Sequence, residues 1–258
     1  MQAHIVLAHP EGRSFNAHLA EVARHSLEAK DWNVSLSDLY AMDFDPREHG
    51  DHYTGRQNPE RFDAQSEQRH ASSQGTIPPM IADEIKALDR ADLLILQYPM
   101  WWHLPPAILK GWFDRVLVYG EVYASQKRFE KGRYVGKRAM LSVTVGTSPE
   151  TYAFDGRSGD IDLLLWPVNF SLAYVGYSVL TPFVAYGVEA GLRYSDPTAI
   201  AERLLGIEKD LERAIAEIDQ RPVIPFNRME EWGADGRIKP GMPVYSPFMR
   251  RRQDLQIE

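Results

Sequence analysis

The chain has 258 residues, 44% of them hydrophobic and 25% charged, with 17 prolines, no cysteine and a net charge of −7. A chain this long buries roughly 70–75% of its unfolded surface without staples, and the lack of cysteine excludes disulfides, thiolate metal sites, Cys-held iron–sulfur clusters and a Cys nucleophile. The acidic balance sets nucleic acid aside as a partner, because phosphate contacts need a clustered basic surface.

Residues 1–16 (MQAHIVLAHPEGRSFN) lack the basic start and long apolar core of a signal peptide. Residues 4–8 (HIVLA) read as a brief buried strand. A helical stripe follows, with Phe15, Leu19, Val22, Ala23 and Leu27 on one face and Ser14 as its N-cap. Residues 32–36 alternate as a short strand that leads into Asp38-Leu39-Tyr40. Residues 42–79 are polar and carry Pro46, Gly50, Pro59, Gly75 and Pro78-Pro79; the segment is too long for an ordinary loop and reads as a covering excursion or a partly helical insertion. A helical stripe resumes over 81–88, and residues 93–97 (LLILQ) form a second apolar strand.

The most apolar stretch, 93–112, holds Pro99, Pro105, Pro106, His103 and Lys110, so no membrane span is expected and the protein reads as soluble and cytoplasmic. Pro106 opens the next helix (AILKGWFDRVL). Strands are expected over 139–145 and 179–184, and helices over 161–174 and 198–218. The segment beyond 218 carries Pro222, Pro225, Pro240, Pro243 and Pro247, and reads as an irregular arm laid over this chain or a partner.

Strands that alternate with helices argue for an α/β domain with a mostly parallel sheet covered on both faces. Ligands in such sheets sit beyond the carboxyl ends of the strands. Three loops are thereby marked: 9–16, 99–105 and 146–160. The first opens a helix at Ser14 and offers backbone N–H groups to a phosphate, although on its own an ordinary capped helix explains it. Neither G-x-G-x-x-G nor a Walker A pattern is present, so a tightly held Rossmann dinucleotide is disfavoured. The second loop sets Tyr98, Trp101 and Trp102 between prolines, a wall for a flat ligand. The third is rich in glycine and hydroxyl side chains that bring N–H groups close to a polar ring edge.

Three blocks, HPEGRSFN, QYPMWWHLPPAILKGWFDRV and TVGTSPETYAFDGRSGD, together with Asp38-Leu39-Tyr40, resemble the flavodoxin-like NAD(P)H:quinone oxidoreductases, the DT-diaphorase type and its bacterial relatives. The likeness runs from about residue 3 to residue 182. It implies a three-layer fold with a parallel five-stranded sheet, a flavin-binding catalytic domain over 1–218 and an arm over 219–258. It also implies two-electron reduction of quinones by NAD(P)H in a ping-pong cycle, with nitro or azo compounds as further substrates. FAD is expected rather than FMN, with the 42–79 segment as material to cover an adenosine. By resemblance, His9, Arg13, Ser14, Phe15 and Asn16 hold the pyrophosphate. Pro99, Met100, Trp101, Trp102 and His103 lie along the isoalloxazine, with Trp102 and His103 also facing substrate. Thr144, Val145, Gly146 and Thr147 meet the polar ring edge, and Tyr152 and Gly146 serve catalysis.

The resemblance further implies a homodimer in which Tyr123 reaches the partner's site. The chain departs from the mammalian pattern in two places: Ser158 stands where those enzymes have a histidine, and Trp102-His103 replaces a Trp-Phe pair. Arg157 is a weaker substitute for that histidine. The other readings are a flavin-binding regulatory subunit docked on a membrane transporter and a small electron carrier. His18 and His25 are expected to be solvated, no metal is expected at His49, Asp51 and His52, and Arg250-Arg251-Arg252 reads as a solvated basic run.

Overall fold

The computed structural model describes residues 1–189 and 196–251. Its strands are β1 (Gln2–Leu7), β2 (Asn33–Asp38), β3 (Leu93–Pro99), β4 (Arg138–Thr144), β5 (Ser178–Val179) and β6 (Phe183–Ala185). Its helices are α1 (Phe15–Glu28), α2 (Ala64–Gln74), α3 (Pro79–Arg90), α4 (Ala107–Val116), α5 (Ile161–Tyr174) and α6 (Pro197–Ala216). The sheet runs β2-β1-β3-β4-β5, parallel throughout, with β6 also paired to β4. This is the flavodoxin-like strand order, whose reversal point lies between β1 and β3.

The central strand shows why an unbroken apolar run was needed. Leu93 and Ile95 enter the core shared with Leu19 of α1 and Leu211 and Ile215 of α6. Leu94, Leu96 and Tyr98 enter the opposite core, with Leu88 of α3, Trp112 of α4 and Leu172 of α5. A strand buried on both faces has no polar side to show. Ser14 caps α1 as expected, its Oγ accepting from the Ala17 N–H at 3.2 Å.

The strand expected over 179–184 is two strands. β5 pairs with Arg138 and Ala139, and β6 with Ser142, Val143 and Thr144. Between them Thr181 and Pro182 leave the ladder, since proline has no N–H to give it.

The 42–79 segment contains α2 and a 3-10 turn at Gly50–His52. It lies along α4, on the face opposite α1. Arg115 of α4 donates to the Asp45 carbonyl at 2.5 Å, and Gln68 of α2 donates to the Asp114 carbonyl at 3.1 Å. A Cβ on Gly111 would stand 2.2 Å from the Pro46 carbonyl oxygen, so this contact admits only glycine. Its polar side chains satisfy α4 and the loop after it, where the Tyr119 N–H donates to Gln68 Oε1 at 2.9 Å.

A buried polar cluster ties α3 and α4 to β1 and β2. Glu84 accepts from Ser37 Oγ at 2.6 Å and Trp112 Nε1 at 2.7 Å, and His4 Nε2 lies 3.9 Å away. Burial pushes the carboxyl's pKa up, but His4 and the Ser37 and Trp112 hydrogen bonds outweigh it and hold it below the ordinary value.

Beyond α6 the chain returns to the β5 end of the sheet. The Thr181 N–H donates to the Pro222 carbonyl and the Ile224 N–H to the Val179 carbonyl, both at 2.8 Å, around an antiparallel bridge of Leu180 with Val223. Arg221 donates to the Thr181 and Pro182 carbonyls at 2.6 and 2.7 Å. The rest of the described arm is turns, with a 3-10 turn at Met229–Glu231 anchored by Glu130, which accepts from the Met229 N–H at 3.1 Å.

Candidate active site

The three marked loops meet at the carboxyl edge of β1, β3 and β4. In the first, His9 Nδ1 accepts from the Glu11 N–H at 3.1 Å, and Glu11 Oε1 accepts from the Arg13 N–H at 2.9 Å. These local bonds, with the Ser14 cap, fix a turn whose outer face is open: a Cβ on Gly12 would meet nothing within 4 Å. Phe15 is half-buried and stacks on His18, ring centroids 5.7 Å apart. Leu7, Gly12, Arg13, Ser14 and Asp38 line a cavity of about 350 Å³ here. The first-turn N–H groups of Phe15 and Asn16 have no intrahelical acceptor, so this end of α1 suits an anion.

The second loop is a miniature hairpin. Trp101 and Leu104 exchange both backbone bonds, at 2.9 and 3.0 Å, across a two-residue turn made by Trp102 and His103. Both turn residues sit at positive φ, 52° and 64°. That is the type I′ pattern, which glycine and asparagine normally supply. The turn lifts Trp102 to 93% exposure, and Trp101 beside it is 42% exposed. Neither tryptophan is core. His9 meets Trp101 edge-on at 6.1 Å, which joins the first two loops. Pro99 is buried and Met100 half-buried at the base of the hairpin, where the Met100 N–H donates to the Thr144 carbonyl at 2.9 Å.

The third loop rises from β4. Thr144 and Val145 are buried, while Gly146 and Thr147 line a cavity of about 650 Å³ with Ser148, Glu150, Tyr186 and Arg203. A Cβ on Gly146 would meet only the Val188 carbonyl oxygen, at 3.7 Å, so the fold itself does not demand glycine there. Thr147 Oγ1 is buried without a hydrogen-bond partner among the described residues. Such an atom calls for a ligand group. Tyr152 ends the 3-10 turn at Pro149–Tyr152 and tilts against Tyr186, centroids 6.3 Å apart. Ser158 is half-buried and its N–H donates to the Thr151 carbonyl at 3.0 Å, whereas Arg157 is exposed.

The structure thus gathers His9, Arg13, Ser14, Phe15, Met100, Trp101, Trp102, His103, Gly146, Thr147 and Tyr152 around one edge of the sheet. The side chains of Asn16 and Thr144 are buried beneath it and bonded to each other, Asn16 Nδ2 donating to Thr144 Oγ1 at 3.0 Å. Tyr123 lies elsewhere, against Tyr119 and Tyr174 at 5.3 and 5.9 Å, in a cavity of about 770 Å³ with Leu104, Pro105 and Phe170. Two residues not marked by the sequence reading join the site. Arg203 of α6 donates to the Gly187 carbonyl and to Glu189, both at 2.9 Å, and lines the Thr147 cavity. Tyr186 follows β6; burial first, then Asp162, Asp160 and Tyr152, push its phenol pKa up and keep it a donor.

The remaining polar residues form local pairs. His18 meets Glu208 at 2.8 Å, His49 meets Asp51 at 3.3 Å and His52 meets Asp45 at 3.1 Å. Among the described residues no group of three or more His, Asp or Glu is placed to hold a metal, and no helix is long and apolar enough to cross a membrane. Arg252 lies outside the described residues.

Residues 1–211 match the family model described as flavodoxin-like fold. The chain is 40% identical over 213 residues to NAD(P)H dehydrogenase (quinone) 1 of Cavia porcellus, covering 82% of this chain and 76% of that protein. It is 41% identical over 187 residues to ribosyldihydronicotinamide dehydrogenase (quinone) of Homo sapiens, covering 72% and 81%. Among solved structures, a candidate quinone reductase from Klebsiella pneumoniae superposes with a TM-score of 0.83 at 32% identity, covering 95% of this chain and 97% of that one.

Proposed function

The chain belongs to the flavodoxin-like family that includes the NAD(P)H and ribosyldihydronicotinamide quinone dehydrogenases, and from that premise we propose that it reduces quinones with NAD(P)H through a bound flavin. The observation that carries the reading is the pair of loops at the carboxyl ends of β3 and β4: one presents exposed tryptophans, the other the Gly146–Thr147 turn with its orphaned hydroxyl. A flat ring fits between an aromatic wall and a turn of small residues. A flavin held there would supply the hydride-carrying chemistry that links nicotinamide to quinone.

The protein's own share is positioning and electrostatics. His9, Arg13, Ser14 and the first-turn N–H groups of Phe15 and Asn16 hold the phosphates, with Arg203 as a further cation beside Thr147. Pro99, Met100, Trp101, Trp102 and His103 form the ring wall, and Trp102 and His103 present it to substrate. Tyr152, backed by Tyr186, donates a hydrogen bond at the polar ring edge with the turn of Val145, Gly146 and Thr147, which favours negative charge where reduction places it. Donor and acceptor use the same wall in turn, so the kinetics are ping-pong. FAD is the flavin of choice: the cavities at Gly12–Ser14 and beside Thr147 give room for more than a single phosphate group. Residues 1–218 carry this chemistry, with the arm from 219 on packed against them.

The working unit is a homodimer. Tyr123, Phe129, Phe170 and Tyr174 make a run of ring contacts between 5.1 and 6.5 Å along the α5 face, beside a largely apolar cavity that reaches Leu104 and Pro105. A second copy would cover it and bring Tyr123 to its neighbour's hairpin. The deciding experiment is to release the yellow cofactor by heat and identify it by chromatography and mass, then assay turnover of a benzoquinone. A colourless protein that takes up neither FAD nor FMN overturns the reading.

A further inference from the structure

Beneath the cleft, three polar side chains from three elements meet out of reach of solvent. Gln97 of β3, Asn16 of α1 and Thr144 of β4 are 0, 4 and 4% exposed. Gln97 Nε2 donates to Asn16 Oδ1 at 2.9 Å, Asn16 Nδ2 donates to Thr144 Oγ1 at 3.0 Å, and that hydroxyl lies 3.3 Å from Asn16 Oδ1. Each member adjoins one wall of the cleft. Asn16 follows the Ser14-Phe15 turn, Gln97 stands two residues before the hairpin's Pro99, and Thr144 precedes the Val145–Thr147 turn.

We propose that Gln97, Asn16 and Thr144 form a positioning clasp that fixes the spacing of the three loops, and that the side chains of Asn16 and Thr144 serve the flavin through this clasp and not by touching it. The inference rests on the flavin reading above. Both polar atoms of the Asn16 amide are already used inside the clasp, and Gln97 has no exposed surface with which to reach a ligand. Backbone bonds extend the same linkage: the Ala8 N–H donates to the Gln97 carbonyl at 3.0 Å, and the Met100 N–H to the Thr144 carbonyl at 2.9 Å. Gln97 Oε1 is buried without a partner among the described residues, but the bonds that join Gln97 to Asn16 and Asn16 to Thr144 favour one arrangement, because breaking either would leave further buried polar atoms unpaired. A dislocation of the walls by a fraction of an ångström then weakens every contact to a rigid ring at once.

The test compares Thr144→Val, which keeps the shape and removes the hydroxyl, with Thr144→Ser, which keeps the hydroxyl. Gln97→Met removes the other donor at similar volume. FAD and FMN are titrated into the flavin-free proteins by fluorescence quenching, and the visible circular dichroism of the bound flavin is recorded. The expected result is a Kd raised about tenfold in Thr144→Val and in Gln97→Met, corresponding to about 1.4 kcal/mol, with an altered flavin dichroism. Thr144→Ser should stay within about threefold of the parent. The double variant should lose little more than the worse single one, since both act through Asn16. An unchanged Kd and dichroism in Gln97→Met overturns the clasp, as does full additivity in the double variant. Should Thr144→Val not fold, Gln97→Met decides alone. If the parent protein itself takes up no flavin, the functional reading has failed, a result distinct from a parent that binds and variants that bind equally well.

Discussion

The hairpin tip separates strain from contact. Trp102 and His103 both hold left-handed backbone, at φ 52° and 64°, without being glycine. For an L-residue that conformation costs roughly 1–2 kcal/mol, against about 0.5–1 kcal/mol of extra chain entropy that a glycine loses on folding. Trp102 is 93% exposed, so truncating it removes almost no packing. In the flavin-free protein Trp102→Gly should therefore raise stability by about 0.5–1 kcal/mol, and the pair Trp102→Gly/His103→Gly by about twice that. At this chain length each kcal/mol moves Tm by roughly 2–4 °C. Trp102→Ala keeps the Cβ and the strain, and should leave stability within about 0.5 kcal/mol of the parent. Both Trp102 variants should raise KM for quinone and lower kcat, because both lose the aromatic wall. Calorimetric melts alongside steady-state kinetics read out both quantities. A glycine variant that melts no higher than the alanine variant refutes strain in the turn. A drop of about 3–5 kcal/mol in either variant would instead mark a core tryptophan.

Three further outcomes follow from the same structure. Glu84→Gln keeps the shape but exchanges charge-assisted bonds for neutral ones, and should destabilise by about 2–3 kcal/mol at neutral pH. Because the folded-state pKa of Glu84 lies below its unfolded value, that contribution is present above the ordinary glutamate range and lost as pH falls through the folded pKa. The gap to the parent in denaturant melts should thus hold from pH 8 to 6 and close in acid; a gap that widens in acid contradicts the assignment. Tyr152→Phe should slow reduction by NAD(P)H in stopped flow about ten- to a hundredfold, less than a sole oxyanion donor would because backbone N–H groups remain, while Ser158→Ala does much less; the reverse order would move the role to Ser158. Gly111→Ala forces Pro46 off α4 and should cost about 1–3 kcal/mol, and an unaltered melt would mean that the 42–79 segment is not seated there.

Periodicity made much of this fold legible. The apolar run of β3, the stripe and Ser14 cap of α1 and the Pro106 start of α4 each carry a local signal that burial only amplifies. The split of the last strand was also written in the chain, at Pro182, and needed only a ladder in which the missing N–H would be felt. The placement of the 42–79 segment was not legible, since the glycine and the arginine that seat it lie on α4, far along the sequence. The three loops could be marked from strand ends, but their partners could not. Arg203 sits among the charges of an ordinary solvated helix, and only the β6–α6 geometry turns it toward Thr147. Gln97 offered a clue, a lone amide at the end of LLILQ, where a buried polar group must have a partner. Asn16 and Thr144 lie at the ends of two marked loops, but nothing in the sequence shows that their side chains face each other.

The arm has one more consequence, for the solubility of the sheet. β5 is the outermost strand, and its backbone groups would be open to pairing with another chain. The Leu180–Val223 bridge, with the Pro222 and Val179 carbonyls, occupies that edge, and Pro222 has no N–H with which to pass the ladder on. The proline-rich tail therefore closes the β5 edge of the sheet as well as lengthening the chain. Proteolysis near Asp219 would expose an adhesive strand, and the product would tend to aggregate even where the active-site edge is untouched.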